Sequence, residues 1–307
     1  MRPLVALVGP TAVGKTSASL YLAPLFRGEI VNADSRQIYR HMDVGTAKPS
    51  LAERAVVPHH LIDIVDPDQE YSLALYQRQA LAAIRDVHQR GKLPILVGGS
   101  GLYVRAVAEG LAIPSVPPDP DLRSELEARA QREGPQALHA ELRRLDLVAA
   151  GRIDARNVRR VVRALEVTLK AGTPISELQR KRSTPFRVLK LGLTIPREEL
   201  YRRIDERVDW QIAHGLIEEN MALRERGYGP DLPAMSSLGY RQIAYYLDGR
   251  ATLDEAVALT KNETHRFARQ QNTWFRPTDS SIHWLASDAS APGRMAELVG
   301  AFLADQY

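Results

Sequence analysis

PLVALVGPTAVGKTSASL, residues 3–20, carries a strand, a loop and a helix in one continuous stretch. Its first half is a short apolar run closed by glycine, the pattern of a strand buried on both faces. Its centre, GPTAVGKT, fits the phosphate-loop spacing: Gly9, Pro10, Thr11, Ala12, Val13, Gly14, Lys15 and Thr16. Its end continues as a helix, which Pro24 stops. Strand, glycine-rich turn and helix in that order aim backbone N–H groups and a helix N-terminus at a phosphate chain. Lys15 adds a point charge, and the Thr16 hydroxyl is a candidate magnesium ligand.

Further strands are expected at GEIVNAD (28–34), HHLIDIVD (59–66) and LPILVGG (93–99), with an amphipathic helix over 72–92. This alternation indicates a parallel α/β sheet flanked by helices, a P-loop NTPase-like core. The segment IPSVPPDPD (113–121) holds four prolines in nine residues and reads as a stiff linker. Helical patterns follow without a strand until RVLKLGLTI (187–195), and a last strand is expected at SIHWLA (281–286). The organisation is therefore a catalytic core of residues 1–113 and 186–307 with a helical insertion domain at 114–185.

Ligands of open parallel sheets bind beyond the carboxyl ends of the strands. Besides the phosphate loop, that edge receives Asp34, followed by Ser35, Arg36 and Gln37, and Ser100 after LPILVGG. Asp34 is a candidate magnesium partner or general base, or simply a turn former. The end of LPILVGG carries glycines where ATP-hydrolysing proteins place an acid. That favours a transferase with a large substrate, because glycine lets a backbone or substrate come close.

The net charge of +4 is unevenly spread: residues 113–190 hold 16 Lys/Arg against 10 Asp/Glu. Within them, RIDARNVRRVVRALEVTLKAG (152–172) reads as one helix. Arg156, Arg159, Arg160 and Arg163 fall on one face, with Val158, Val161, Val162, Leu165 and Leu169 nearly opposite. Guanidinium groups on one stripe suit phosphate oxygens, and QRKRSTPFR (179–187) adds a second basic cluster. An RNA-docking face is the expectation, against a merely solvated one. HRFARQQNTWFR (265–276) reads equally as a core helix with a wet edge or as an RNA or phosphate contact, and RRIDERV (202–208) as an exposed charged helix. His59 and His60 lack a companion ligand pattern for a metal. The chain has no cysteine, which excludes disulfides and thiolate zinc sites and fits the cytoplasm. No apolar run approaches the ~18 residues of a membrane span, and the N-terminal run leads straight into the phosphate loop, so it is expected to be a mature strand.

Taken together, GPTAVGKTSASL, VNADSRQIYRHMDVGTAKP, PHHLIDIVDPDQEYS, LPILVGGSGLYVRAV, RRVVRALEV, SSLGYRQI and RQQNTWFR resemble the tRNA dimethylallyltransferase (tRNA isopentenyltransferase) family. The resemblance runs in order from residue 5 to about 285, and without cysteine the chain is similar to the bacterial form. It implies transfer of a dimethylallyl group from dimethylallyl diphosphate to the exocyclic amine of the adenosine 3′ of the tRNA anticodon, with magnesium assisting. It implies a general-base position for Asp34 and diphosphate-polarising positions for Thr16 and Arg207. It also implies tRNA contacts for Asp34, Ser35, Arg36, Gln37, Ser100, Arg123 and residues 159–163. Where this chain has Ser100, the family often has threonine, which keeps the hydroxyl. Partners would be the anticodon stem-loop and the prenyl donor, with no membrane, and the enzyme is expected to be a monomer. The rival readings are a P-loop small-molecule or nucleoside kinase, which needs ATP and no arginine helix, and a non-catalytic RNA-binding protein, against which the intact Gly14-Lys15-Thr16 argues.

Overall fold

The computed structural model describes residues 1–179 and 183–305. The chain divides into two compact units: Met1–Ala108 with Thr184–Tyr307, and Glu109–Ser183.

The first unit is built on a six-stranded sheet. Its strands are β1 (Arg2–Val8), β2 (Gly28–Asn32), β3 (His59–His60), β4 (Leu93–Val97), β5 (Phe186–Thr194) and β6 (Ile282–Ala286). They lie in the order β3-β2-β4-β1-β5-β6, and every pair is parallel. The apolar run at residues 4–8 is explained by two-sided burial. Val5 and Leu7 pack with the helices Lys15–Leu25 and Ala291–Ala304. Leu4, Ala6 and Val8 pack on the other face with Leu73–Gln89 and Gly101–Ala108. Alternation with period two inside a continuous hydrophobic run is what a central parallel strand requires.

One expected strand is shorter than its sequence suggests. Of HHLIDIVD, only His59 and His60 pair with β2. Leu61 and Asp63 take left-handed backbone conformations, with φ of 63° and 56°, which breaks the pleat. The Asp63 carboxylate is spent on Lys48 (2.5 Å) and Arg54 (2.6 Å). Both imidazoles are also engaged: His59 Nδ1 lies 2.7 Å from the Val57 carbonyl, and His60 Nε2 lies 2.7 Å from the Glu29 carboxylate.

A separate apolar cluster joins Ile38, Tyr39 and Met42 to Leu216, Leu223, Tyr240 and Ile243. It seats the loop after β2 on the helices Leu216–Glu225 and Tyr240–Leu247.

The second unit is helical, with Leu126, Leu138, Leu142, Val161, Val162 and Leu165 at its centre. Here the expected single arginine stripe is corrected. The helix spans Val158–Ala171, capped by the Asn157 side chain, so Arg156 lies in the turn before it. Arg156 is paired to Asp154 at 2.6 Å. Arg163 is not free for solvent either: it donates to the buried Glu166, one turn along, and to the Val116 carbonyl (2.9 Å). Arg123 donates to the same Glu166 at 2.8 Å, as does the Asp119 N–H at 2.7 Å. Burial alone would raise the Glu166 carboxyl, but these donors hold it below its ordinary value. Arg159 and Arg160 are exposed, and so is Leu169, which leaves the apolar stripe earlier than its spacing suggests. Of the basic cluster QRKRSTPFR, residues 180–182 lie outside the described residues.

Candidate active site

The phosphate loop leaves β1 and enters the helix Lys15–Leu25. Its shape needs glycine at two points. Gly9 has φ of 145°, and a Cβ there would lie 2.7 Å from the Leu193 carbonyl oxygen; Gly14, at φ 96°, caps the helix. Between them Val13 is fully buried and anchors the loop, and its carbonyl accepts from the Ser287 hydroxyl at 2.7 Å. Lys15 Nζ folds back on the loop, donating to the carbonyls of Gly9 (3.0 Å) and Pro10 (2.7 Å). Burial pushes its ammonium down to about 8, with Arg207 adding to the shift and Asp34 opposing it.

Two lobes of one cleft open from this loop. The first, of 260 Å³, is walled by Lys15, Thr16 and Gln37. The second, of 410 Å³, is walled by Ser35, Arg36 and Ser100, with Ile204, Val208 and Trp274 as apolar surface. Thr11, Asp34, Thr46, Arg207, Phe267 and Gln271 line both lobes. Asp34 and Arg207, assigned to the chemistry by resemblance, thus stand where the lobes meet.

Each is held by its own local structure. Asp34 follows β2; its Oδ1 accepts from the Arg36 N–H at 2.8 Å, and its own N–H donates to Asn32 Oδ1 at 3.0 Å. Arg207 leaves the helix Arg197–Ala213 and donates to the Thr11 hydroxyl at 3.2 Å. Burial lowers its pKa, and Asp34 offsets part of the effect. Arg203, four residues earlier, pairs instead with Glu199 at 2.8 Å, so only one arginine of RRIDERV reaches the cleft.

The loop LPILVGGSG closes the floor. A Cβ on Gly98 would lie 2.1 Å from the Ala33 carbonyl oxygen, and one on Gly99 would lie 2.2 Å from Gln271 Nε2. The strand end is therefore closed to any side chain, acidic ones included. Ser100 Oγ accepts from the Ser35 N–H at 3.0 Å, tying this floor to the Asp34 loop. The other candidates near Asp34 are fastened too: Arg36 donates to the Pro233 carbonyl (2.9 Å) and Gln37 to the Thr46 and Ala47 carbonyls (3.2 and 3.1 Å). Arg123, Arg156, Arg159, Arg160 and Arg163 belong to the helical unit described above.

The segment HRFARQQNTWFR, left between a core helix and a contact, lines the cleft through Phe267, Gln271 and Trp274, and two sets of residues around it are not singled out by the sequence reading. The first is the preceding turns of the same helix, Leu253–Trp274, where Thr260 and Thr264 continue that face at helical spacing. The structure buries Thr260 and Gln271 on this face, where an amphipathic pattern would place apolar residues. The second set fixes residues 43–46 of VGTAKP. Glu219 accepts from the N–H groups of Asp43 (2.8 Å), Val44 (2.9 Å) and Gly45 (3.2 Å), and from the Tyr240 hydroxyl. Gln211 donates to the Val44 and Gly45 carbonyls at 2.7 and 3.0 Å.

Among the described residues there is no group of three or more His, Cys, Asp or Glu side chains fit to cage a metal. No helix among them is long and apolar enough to cross a membrane.

The IPP transferase family model matches residues 37–278. The tRNA dimethylallyltransferase of Thermomicrobium roseum is 56% identical over 297 residues, covering 97% of this chain and 89% of the relative. The crystal structure of the full-length tRNA isopentenylpyrophosphate transferase from Bacillus halodurans superposes with a TM-score of 0.74 at 41% identity, covering 99% of this chain and 98% of that one. A eukaryotic dimethylallyltransferase acting on tRNA superposes with a TM-score of 0.85 at 26% identity, over 100% of this chain and 81% of that one. By sequence across most of its length and by the parallel-sheet core with its helical unit, this chain belongs to the IPP transferase family.

Proposed function

We propose that the chain transfers a dimethylallyl group from dimethylallyl diphosphate to the exocyclic amine of the adenosine 3′ of the anticodon in tRNA. The observation that carries this reading is the two-lobed cleft: a phosphate cradle opens into a larger, partly apolar chamber, with Asp34 and Arg207 at the junction. The loop N–H groups, Lys15 and Arg207 hold the diphosphate, and Ile204, Val208 and Phe267 offer apolar surface to a branched five-carbon chain. The adenosine leaves the anticodon-loop stack to enter the chamber, as enzymes that modify bases require. The amine nitrogen then forms a bond to the allylic carbon as the carbon–oxygen bond to diphosphate breaks. Asp34 accepts the amine proton, and Arg207 and Lys15 neutralise charge on the departing diphosphate.

The donor set fits magnesium. A threonine hydroxyl and a single carboxylate beside a phosphate cradle match an ion that keeps several waters and binds mainly through substrate phosphates. Thr16 would hold it and Asp34 would face it; when bound, magnesium supplies further neutralisation of the leaving group. The cleft is complete from one chain, which supports a monomeric enzyme. Arg159 and Arg160, the exposed pair of the helical unit, would meet the phosphates of the anticodon stem.

The decisive experiment incubates the protein with unmodified tRNA and dimethylallyl diphosphate, without ATP, and analyses nucleosides by mass spectrometry. Prenylated adenosine is expected. Its absence would overturn the transferase reading, and ATP-dependent phosphorylation of a small acceptor would establish the kinase reading instead.

Two further expectations follow from the charges. Diphosphate beside Lys15 restores its ammonium, whose pKa is about 8 in the free enzyme. Binding of dimethylallyl diphosphate near pH 8.5 should therefore take up roughly half a proton or more, and affinity should fall as pH rises through 8. Titration calorimetry in buffers of different ionisation enthalpy measures this; no uptake would mean that Lys15 is already charged before the donor binds. For tRNA, the double variant Arg159→Ala/Arg160→Ala should flatten the log–log salt dependence of binding by about one unit per lost contact. Val162→Ala, on the buried face, should lower thermal stability and leave that slope unchanged. An unaltered slope in the arginine variant would mean that this face is merely solvated.

A further inference from the structure

The two loops that must bring donor and acceptor together are not adjacent in sequence, and one buried side chain joins them. Gln271, 4% exposed, accepts through Oε1 from the Thr11 N–H at 2.8 Å and donates through Nε2 to the Gly99 carbonyl at 3.0 Å. Thr11 is the tip of the phosphate loop, and its hydroxyl receives the Arg207 guanidinium. Gly99 precedes Ser100, whose Oγ receives the Ser35 N–H beside Asp34. A continuous chain of contacts thus runs from Arg207 and Thr11 through Gln271 to Ser100, Ser35 and Asp34.

The floor loop and the helix Leu253–Trp274 pack closely around the bridge. A Cβ on Gly99 would lie 2.2 Å from Gln271 Nε2, and one on Gly101 would lie 2.3 Å from the Trp274 ring, so the floor loop presses directly on the helix Leu253–Trp274. The amide uses both of its ends, one accepting and one donating, and each end meets a backbone group of a different loop. A carboxylate could serve only the Thr11 side and a hydrocarbon neither.

We infer that Gln271 is a positioning residue for the transfer reaction, setting the separation between the diphosphate-holding loop and the floor that aligns Asp34 with the acceptor. The inference rests on the transferase reading above. Its consequence is specific to the chemical step, because in-line transfer depends on alignment to within about 1 Å, and a displacement of that size costs on the order of 100-fold. Gln271 lines both lobes, but both polar ends of its amide are spent on the two loops. Its loss should slow chemistry more than it weakens the binding of either substrate.

The test uses the full chain with unmodified tRNA and dimethylallyl diphosphate. Gln271→Met preserves volume and removes both hydrogen bonds; Gln271→Glu keeps the acceptor for Thr11 and sets an oxygen against the Gly99 carbonyl. Both should lower the single-turnover rate roughly 10- to 100-fold, with KM for each substrate changing by no more than a few-fold. A double-mutant cycle with Ser100→Ala should be strongly non-additive, because both residues act through the same floor loop. Single-turnover rates within threefold of wild type, or additive effects in the cycle, would overturn the inference. So would failure of both variants to reach a native thermal transition, since that assigns Gln271 to folding alone. If the wild-type chain itself prenylates no tRNA, the transferase reading fails, and that outcome is separate from any result with the variants.

Discussion

Asp34→Asn should bind tRNA as the wild type does and lose between about 100- and 10,000-fold of its single-turnover rate. The binding half of the expectation comes from the backbone. The Asp34 oxygen that accepts from the Arg36 N–H is kept by an asparagine carbonyl, so the turn that presents Ser35, Arg36 and Gln37 survives. The kinetic half comes from proton transfer, since an amide cannot take a proton from the adenine amine. Rapid-quench measurement under saturating donor, with tRNA affinity from filter binding, separates the two. A rate within threefold of wild type would remove Asp34 from the base role, and a matching loss of tRNA affinity would recast it as a binding group.

Arg207→Ala should cost about 100- to 1,000-fold in transfer rate, the usual loss when one donor to a developing negative charge is removed. Its guanidinium lies at the junction of the two lobes and rests on the Thr11 hydroxyl, so its removal takes away charge and slackens the loop tip together. Arg207→Lys should recover only part of the rate, because an ammonium supplies a point charge where a planar fork is held. Arg203→Ala, on the same helix but paired to Glu199, should stay within a few-fold of wild type. Equal losses at 203 and 207 would indicate that the helix contributes general charge rather than one placed group.

The sheet was legible because its decisive features are local. Residues 3–20 carry strand, loop and helix in one continuous stretch, and LPILVGG is apolar on both faces because helices cover both. Features created by distant or tertiary contacts were harder to read. HHLIDIVD has the composition of a strand, yet Asn32 draws the Leu61 carbonyl (2.9 Å) and Asp63 turns to Lys48 and Arg54, so pairing stops after two residues. The wheel at 156–163 placed four guanidinium groups on one face, but Asn157 starts the helix after Arg156, and Glu166 claims Arg163. Gln271 meets Thr11 across 260 positions of chain, and nothing near either residue announces the partner. Arg207 became recognisable through family resemblance, because its charged neighbours make the segment look like ordinary surface helix.

Three successive N–H groups converging on one point, as at residues 43–45, form the kind of concavity that captures phosphate. Here the chain fills it with its own Glu219 carboxylate. The carboxylate behaves as a tethered dummy ligand. The chain thus holds two backbone concavities: the one at residues 43–45 has its anion built in, and the phosphate loop at residues 9–16 does not. Self-occupancy does not depend on ligand concentration, so this wall keeps its shape whether or not the donor has arrived. With the carboxylate seated, these three N–H groups have no vacancy for an anion from solution.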